Sequence, residues 1–178
     1  NAFDTELFLR IAPELFLKRA VVGGIDRVYE INRNFRNEGA DRTHSPEFAM
    51  LEAYEAFGDY NVMAELTQRL IQNAAMDVFG THQVTLDDGT VNDLGGEWAR
   101  ISMFESLSAA AGVEITPETP IAELKKLADK EGLEIDHPQH GKYVEELWEH
   151  FVKGDLVAPT FVMDFPVDTS PLVRNHRS

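Results

Sequence analysis

Apolar and polar residues alternate along two stretches in the first third of the chain. In residues 27–36, the apolar side chains of Tyr29, Ile31 and Phe35 fall on one face. The opposite face of this stretch is polar and consists of Glu30, Asn32, Asn34 and Arg36. Residues 48–54 alternate with the same period. Two such stretches joined by a polar loop predict a β-hairpin with a long connection.

The two faces of this hairpin differ in composition. The second stretch adds Ala49, Leu51 and Ala53 to the apolar face. To the polar face it adds Phe48, Met50, Glu52 and Tyr54. An amphipathic helix is predicted at residues 61–79, and we expect it to cover the apolar face. On the other face, aromatic rings beside an arginine and a glutamate favour the floor of a ligand pocket.

The remaining pattern predicts further helices and strands. Residues 6–11 are predicted as a strand, and a helix follows from Pro13 to Val22 because proline suits a first helical position. More strands are predicted within residues 85–103 and 158–165, and more helices at residues 104–111, 119–131 and 142–152. The predicted fold class is therefore α+β, with helices against an antiparallel sheet and a helical insertion at about residues 113–157.

Composition narrows the possible functions. The 178 residues include 31 acidic and 16 basic side chains, a formal charge of −15. This net negative charge argues against electrostatic binding of the whole molecule to nucleic acid or to an anionic membrane. The absence of cysteine excludes disulfides and thiolate metal sites, and it fits a reducing cytosol. No apolar run approaches the roughly 20 residues of a membrane-spanning helix.

Familiar cofactor motifs are missing from the sequence. Neither the phosphate loop G-x-x-x-x-G-K-[ST] nor the dinucleotide turn G-x-G-x-x-G occurs. His137 and His140 flank Pro138, which interrupts the helix that would bring the two rings together. We therefore predict no metal site within this chain.

Arg36 and Glu52 are the strongest candidates for ligand binding. A guanidinium offers a planar fork to a carboxylate or a phosphate, and a carboxylate can accept hydrogen bonds from an ammonium group. Together they suit a zwitterionic or phosphorylated ligand. A cross-strand ion pair or a solvated surface pair would explain the same two residues. The spacing alone does not decide between these interpretations.

The hairpin also carries a recognisable order of residues. Residues 35–39 read Phe-Arg-Asn-Glu-Gly, residues 44–48 read His-Ser-Pro-Glu-Phe, and residues 50–54 read Met-Leu-Glu-Ala-Tyr. This order resembles motif 2 of class II aminoacyl-tRNA synthetases, in the form typical of bacterial lysyl-tRNA synthetases. Other segments similar to this family are residues 9–15, 18–24, 159–161 and 170–172.

The resemblance implies an ATP-binding role for part of the polar face and its loop. Arg36 would hold the α-phosphate of ATP and the carboxylate of lysine, which makes it the catalytic residue. Glu38 and His44 would contact the adenine and phosphate ends of ATP, and Phe48 would stack on adenine. Alternatively, Phe48 is a core residue and His44 an ordinary loop residue.

The resemblance also implies a lysine-binding role for three side chains besides Arg36. Glu14 would meet the α-ammonium group of the substrate. Glu52, with help from Tyr54, would recognise the ε-ammonium group at the far end of the substrate. Alternatively, Glu14 only complements the dipole of the helix that it begins.

The resemblance further implies that residues 1–178 are part of a class II catalytic domain with an incomplete antiparallel sheet, and that motif 2 occupies residues 26–56. The sequence has no motif 1, no motif 3 and no anticodon-binding domain. The ligands of Mg²⁺ are therefore expected outside this chain, and the isolated chain is expected to be inactive. The expected substrates of the longer protein are ATP, lysine and tRNA(Lys). We also expect that protein to be a cytoplasmic homodimer that does not bind membranes.

Two other functions remain open at this stage. A synthetase-like paralogue would form the same adenylate but transfer lysine to a protein or a lipid instead of tRNA. Alternatively, a truncated domain of this kind serves as a non-catalytic binding module. Motif 2 does not separate the tRNA enzyme from the paralogue, since both need it.

Overall fold

The computed structural model describes residues 3–173, and the chain divides after Met63 into two compact units. The first unit contains one helix, α1 (Glu14–Val22), and two strands, β1 (Arg27–Phe35) and β2 (Glu47–Glu55). The two strands pair antiparallel and confirm the predicted hairpin. The predicted first helix is also confirmed, with Pro13 immediately before it and Gly23 immediately after it.

The strand predicted for residues 6–11 is wrong. Residues 4–10 have no regular secondary structure. The described backbone contact of this segment to β1 is a single hydrogen bond, from the Phe35 amide to the Arg10 carbonyl at 2.9 Å. One hydrogen bond does not make a ladder, and the apolar side chains of Leu7 and Phe8 lie in solvent.

The strand register confirms how residues are distributed between the two faces of the hairpin. Ile31 is opposite Leu51 on the apolar face, whereas Glu30 is opposite Glu52 on the polar face. The polar face is the more covered of the two within this unit. Asn34 on this face is completely buried, whereas Ile31 is 64% exposed. The expectation that the helix at residues 61–79 covers the apolar face stays a prediction.

Helix α1 explains part of this burial. It contacts both strands, and the Lys18 ammonium lies 5.6 Å from the centre of the Tyr54 ring on the polar face. Leu17 is the buried residue of the helix. The first unit therefore places a short helix on the polar side of its hairpin.

Helix α2 (Tyr60–Phe79) matches the predicted amphipathic helix and continues into the second unit. The strands of the second unit form two pairs. β3 (Gln83–Thr85) and β4 (Val91–Asp93) are antiparallel, whereas β5 (Ala99–Ser102) and β6 (Thr160–Met163) are parallel. The antiparallel sheet expected from the sequence is therefore found only in part, because β5 and β6 are parallel. Parallel neighbours need a crossover connection, and helices supply it here.

Those crossover helices form the core of the second unit. They are α3 (Met103–Ala111), α4 (Ile121–Lys130) and α5 (His140–Phe151). Leu107, Leu124 and Leu147 are at most 1% exposed, and they belong to one continuous apolar cluster. The indole nitrogen of Trp148 donates to the hydroxyl of Ser106 at 3.0 Å, which satisfies a buried donor and joins α5 to α3.

The beginning of α5 is held by a residue far along the chain. The Gly141 amide donates to a carboxylate oxygen of Asp168 at 2.8 Å. The first amide groups of a helix have no partner within the helix, so an acidic side chain there satisfies a donor and complements the helix dipole. A Cβ atom on Gly141 would lie 2.3 Å from the other carboxylate oxygen of Asp168. A side chain at this position would therefore force Asp168 and Pro166 to shift.

Candidate functional site

Arg36 follows the last residue of β1, and its side chain lies on the polar face of the hairpin. Its amide donates to the Pro46 carbonyl at 2.9 Å, which extends the pairing of the strands by one residue. Its Nε donates to the Ile11 carbonyl at 3.3 Å. The guanidinium carbon lies 5.2 Å from the centre of the Phe48 ring, within cation–π distance. Arg36 therefore points back along the polar face toward the middle of the hairpin.

The guanidinium of Arg36 has no anionic partner within residues 3–173. The cation–π contact and the bond to Ile11 fix its position but leave its positive charge without a carboxylate within 4.0 Å. By contrast, Arg33 on the opposite face pairs with Glu47 at 2.6 Å. The alternative of a cross-strand ion pair thus applies to Arg33 and not to Arg36.

Glu52 is the anionic counterpart on the second strand. The Tyr54 hydroxyl donates to a Glu52 carboxylate oxygen at 2.9 Å. Within the described residues, no Lys, Arg or His side chain pairs with Glu52. Because the side chain is half-buried, this carboxylate is partly desolvated and retains acceptor capacity. Such a carboxylate suits a cationic ligand.

The environment of Tyr54 changes its titration. Burial, followed by the hydrogen bond to Glu52, raises the pKa of Tyr54 to about 12. The neutral phenol is therefore favoured in the folded chain, and it stabilises the fold fully below pH 10. This stabilisation is lost as the pH rises from 10 through about 12.

We expect this shift to be measurable in an alkaline absorbance titration. The wild-type chain should show one tyrosine transition near pH 12 that is missing from Tyr54→Phe. Tyr29→Phe is the matched control, because Tyr29 is exposed on the opposite face, and it should leave the late transition intact. A late transition that persists in Tyr54→Phe would contradict the assignment.

The spacing along β2 of the two residues that mark the ends of the site follows from the strand geometry. Phe48, under the guanidinium of Arg36, and Glu52 lie four residues apart on β2. At about 3.3 Å per residue, their backbone positions are about 13 Å apart. A free cation and a free anion thus lie at opposite ends of one half-buried row, with Met50 between them. An extended amino acid with a terminal ammonium group matches this arrangement.

Glu14 lies at the start of α1, near the Glu52 end of this row. It forms an ion pair with Lys18 one turn later, and its charge contributes to the raised pKa of Tyr54. Both side chains of this ion pair are about half exposed. The structure therefore brings Glu14 to the site in a paired state, and a substrate ammonium would have to exchange with Lys18.

The remaining sequence-predicted residues lie in the connection between the strands. Glu38 is exposed there. His44 is within 3.0 Å of Asp41, whose carboxylate also accepts hydrogen bonds from the Thr43 amide and hydroxyl. Led by the bond from the Thr43 amide, these contacts lower the pKa of Asp41 to about 2. Among the described residues, the Phe48 ring lies against the guanidinium of Arg36 and forms no ring pair with His44.

Sequence reasoning missed two charged residues of the polar face. Arg10 donates to Glu30 at 2.5 Å and to the Arg33 carbonyl at 3.1 Å. The alternation in residues 27–36 already placed Glu30 on the pocket side, but only the strand register shows that it lies opposite Glu52. Arg10 carried no such signal, since it lies in a segment without regular structure.

Residues 3–173 contain neither a candidate metal-ligand cluster nor a candidate membrane span. There, no group of three or more His, Cys, Asp or Glu side chains is arranged to hold a metal ion. These residues therefore do not fit a magnesium site. In the same range, no helix has both the length and the apolar character required to cross a bilayer.

Comparison with known proteins gives the same family across the whole chain. Residues 1–178 match the family model for class II tRNA synthetases of the D, K and N type. The chain is 67% identical to a lysine–tRNA ligase of Kineococcus radiotolerans over 179 residues, covering 99% of the chain and 36% of the relative. It is 61% identical to a lysine–tRNA ligase of Mycolicibacterium gilvum over 181 residues, covering 100% of the chain and 36% of the relative.

A relative that is named for a different function is less similar. The lysylphosphatidylglycerol biosynthesis bifunctional protein LysX of Nocardia farcinica is 47% identical over 183 residues, covering 100% of the chain and 16% of the relative. The chain thus spans about a third of the length of the two ligases. Because the family model covers every residue, the chain belongs to the class II tRNA synthetase family of the D, K and N type.

Proposed function

We propose that this chain is the motif 2 part of a lysine–tRNA ligase, which activates lysine with ATP and transfers it to tRNA(Lys). One observation carries the proposal: the polar face presents a guanidinium over Phe48 and, four residues further along β2, the carboxylate of Glu52, and neither charge has an ionic partner within residues 3–173. The similarity to the lysine–tRNA ligases of Kineococcus radiotolerans and Mycolicibacterium gilvum supports this function.

In this proposal, each end of the site binds one end of lysine. The carboxylate of Glu52 accepts hydrogen bonds from the ε-ammonium group, and the Tyr54 hydroxyl holds that carboxylate in place. Glu14 receives the α-ammonium group in place of Lys18. Arg36 binds the substrate carboxylate and the α-phosphate of ATP together, so that the nucleophile and the phosphorus atom meet.

The chemistry is a displacement at phosphorus. An oxygen of the lysine carboxylate attacks the α-phosphorus, the bond to the β-phosphate oxygen breaks, and pyrophosphate leaves with the electron pair. Arg36 offsets the negative charge that accumulates on the α-phosphate oxygens. A hydroxyl of the terminal ribose of tRNA then attacks the adenylate carbonyl, and AMP leaves. Glu38, His44 and Phe48 hold ATP.

The requirements beyond this chain are also part of the proposal. Mg²⁺ accompanies ATP, with ligands outside residues 1–178. The complete enzyme is a homodimer in the cytoplasm, where ATP, lysine and tRNA are available together. The chain alone does not activate lysine.

A lipid as the acceptor is the second candidate, and the similarity to the Nocardia farcinica LysX protein favours it. The higher identity to the two ligases favours tRNA. The acceptor is decided by assaying the complete source polypeptide with tRNA(Lys) and with phosphatidylglycerol vesicles. Lysyl-tRNA as the product supports the ligase, whereas lysylated lipid supports the alternative.

A chimera tests the activation step. It consists of the Kineococcus radiotolerans ligase in which this chain replaces the matching segment. We expect the chimera to catalyse lysine-dependent ATP–pyrophosphate exchange at a rate within about tenfold of the parent ligase, and the chain alone to show none. A folded chimera without exchange, beside an active parent, would refute the proposed function. Exchange by the chain alone would refute the requirement for the missing parts.

A further inference from the structure

Two carboxylates face each other on the polar side of the hairpin. The register places Glu30 directly opposite Glu52. Side chains at such positions have Cβ atoms about 5 Å apart, and like charges there are unfavourable. Two facing glutamates therefore need compensation, and the structure supplies it to one of them only.

Arg10 compensates Glu30. Its terminal nitrogen donates to Glu30 at 2.5 Å, and both side chains are 30% exposed. The Asn32 amide donates to the same carboxylate oxygen at 3.0 Å. The hydrogen bond from Arg10, followed by the one from Asn32, lowers the pKa of Glu30. Glu30 is thus a paired anion, while Glu52 keeps only the neutral Tyr54 hydroxyl as its partner within residues 3–173.

Arg10 is itself fixed by two further contacts at the outer edge of β1. Its Nε donates to the Arg33 carbonyl at 3.1 Å, and its own carbonyl accepts from the Phe35 amide at 2.9 Å. Its remaining terminal nitrogen is buried and has no partner among the described residues. The guanidinium is therefore held beside Glu30 on the polar face and does not extend into solvent.

We propose that Arg10 is a positioning residue of the lysine site: its ion pair with Glu30 neutralises the carboxylate that faces Glu52, so that Glu52 carries the single negative charge that receives the substrate ammonium. This inference rests on the proposed function. It assigns Arg10 and Glu30 to substrate selection, although neither touches the substrate.

Removal of the Arg10–Glu30 ion pair should change how the nearby carboxyl groups titrate. The charged and titratable side chains at this end of the polar face are Arg10, Glu14, Lys18, Glu30, Glu52 and Tyr54. Glu14 and Lys18 already compensate each other. Without Arg10, two facing carboxylates retain a proton to higher pH as a coupled pair. The proton then spends part of its time on Glu52, and a protonated Glu52 carboxyl binds an ammonium group poorly.

The test measures kcat/KM for lysine from pH 4.5 to 8 in the chimera. For Arg10→Gln we expect the acid limb of the kcat/KM profile to move to higher pH by about one unit. This shift is about a tenfold loss of kcat/KM at any pH on that limb, and the KM for ATP should be unchanged. The double variant Arg10→Gln/Glu30→Gln removes both charges and should return the limb to the wild-type position. Arg10→Lys keeps the charge and should also leave it there.

The matched control is Arg33→Gln, which breaks the ion pair with Glu47 on the opposite face and should not move the limb. Circular dichroism at each pH checks that every variant is folded. An unmoved limb in Arg10→Gln, or an equal shift in the double variant, would overturn the inference and leave Arg10 as a purely structural contact. Loss of exchange in the unsubstituted chimera would instead refute the proposed function.

Discussion

Glu52→Gln in the chimera is expected to lower kcat/KM for lysine by at least about 30-fold while the KM for ATP stays within about twofold. The loss corresponds to about 2 kcal/mol, which is typical when one partner of a desolvated charge pair is removed. Glutamine has nearly the shape of glutamate, so the Tyr54 hydroxyl keeps an acceptor. The effect therefore measures the charge and not the packing.

The control for this variant lies on the same strand. Glu47→Gln changes an exposed carboxylate on the opposite face, which is paired with Arg33, and should leave both constants within about twofold. Titration calorimetry with a lysyl-adenylate analogue gives an independent reading, in which Arg36→Ala should lose at least as much affinity as Glu52→Gln. Wild-type binding in both variants would remove the basis for the lysine site.

Strand β1 and helix α2 were predictable because their signals are local. The alternation in residues 27–36 gave a strand that the structure places at Arg27–Phe35, and the helix predicted at residues 61–79 is Tyr60–Phe79. Periodicity needs only neighbouring residues, so strong patterns fix element type well. Residues 6–11 lacked the partner strand that their pattern presupposed, and they form no strand.

The pairing of strands that lie far apart in the chain was harder to predict from the sequence. Nothing in the composition of β5 or β6 indicates that the two strands lie side by side in parallel. Their pairing depends on how α3, α4 and α5 fold between them, which is a non-local property. The sequence therefore predicted both strands but assigned them to an antiparallel sheet.

The candidate site also has features that the sequence predicts and features that depend on distant contacts. Alternation alone placed Arg36 and Glu52 on one face, and the structure keeps both on it without an ionic partner among the described residues. That Glu30 faces Glu52 depends on the register across a long loop, and loop length alone does not set this register. The role of Arg10 depends on both the register and an irregular segment, so only coordinates reveal it.

The largest effect on stability is expected at the beginning of α5. Gly141→Ala should lower the free energy of unfolding by about 3 kcal/mol. The new Cβ would lie 2.3 Å from an Asp168 carboxylate oxygen and 2.8 Å from the Pro166 Cβ, so Asp168 must move. Overpacking of this kind costs about 1–3 kcal/mol, and loss of the charge-assisted bond from the Gly141 amide adds about 1.5–3 kcal/mol.

Urea unfolding followed by tryptophan fluorescence measures this loss, because Trp148 is buried on the same helix. Gly154→Ala is the matched control: a Cβ there meets no atom within 4 Å, and stability should change by less than about 0.5 kcal/mol. Asp168→Ala removes the clashing oxygens. Since the two residues share one contact, the double variant Gly141→Ala/Asp168→Ala should be less destabilised than the sum of the single variants. Additive losses would show that the contact with Asp168 does not restrict Gly141.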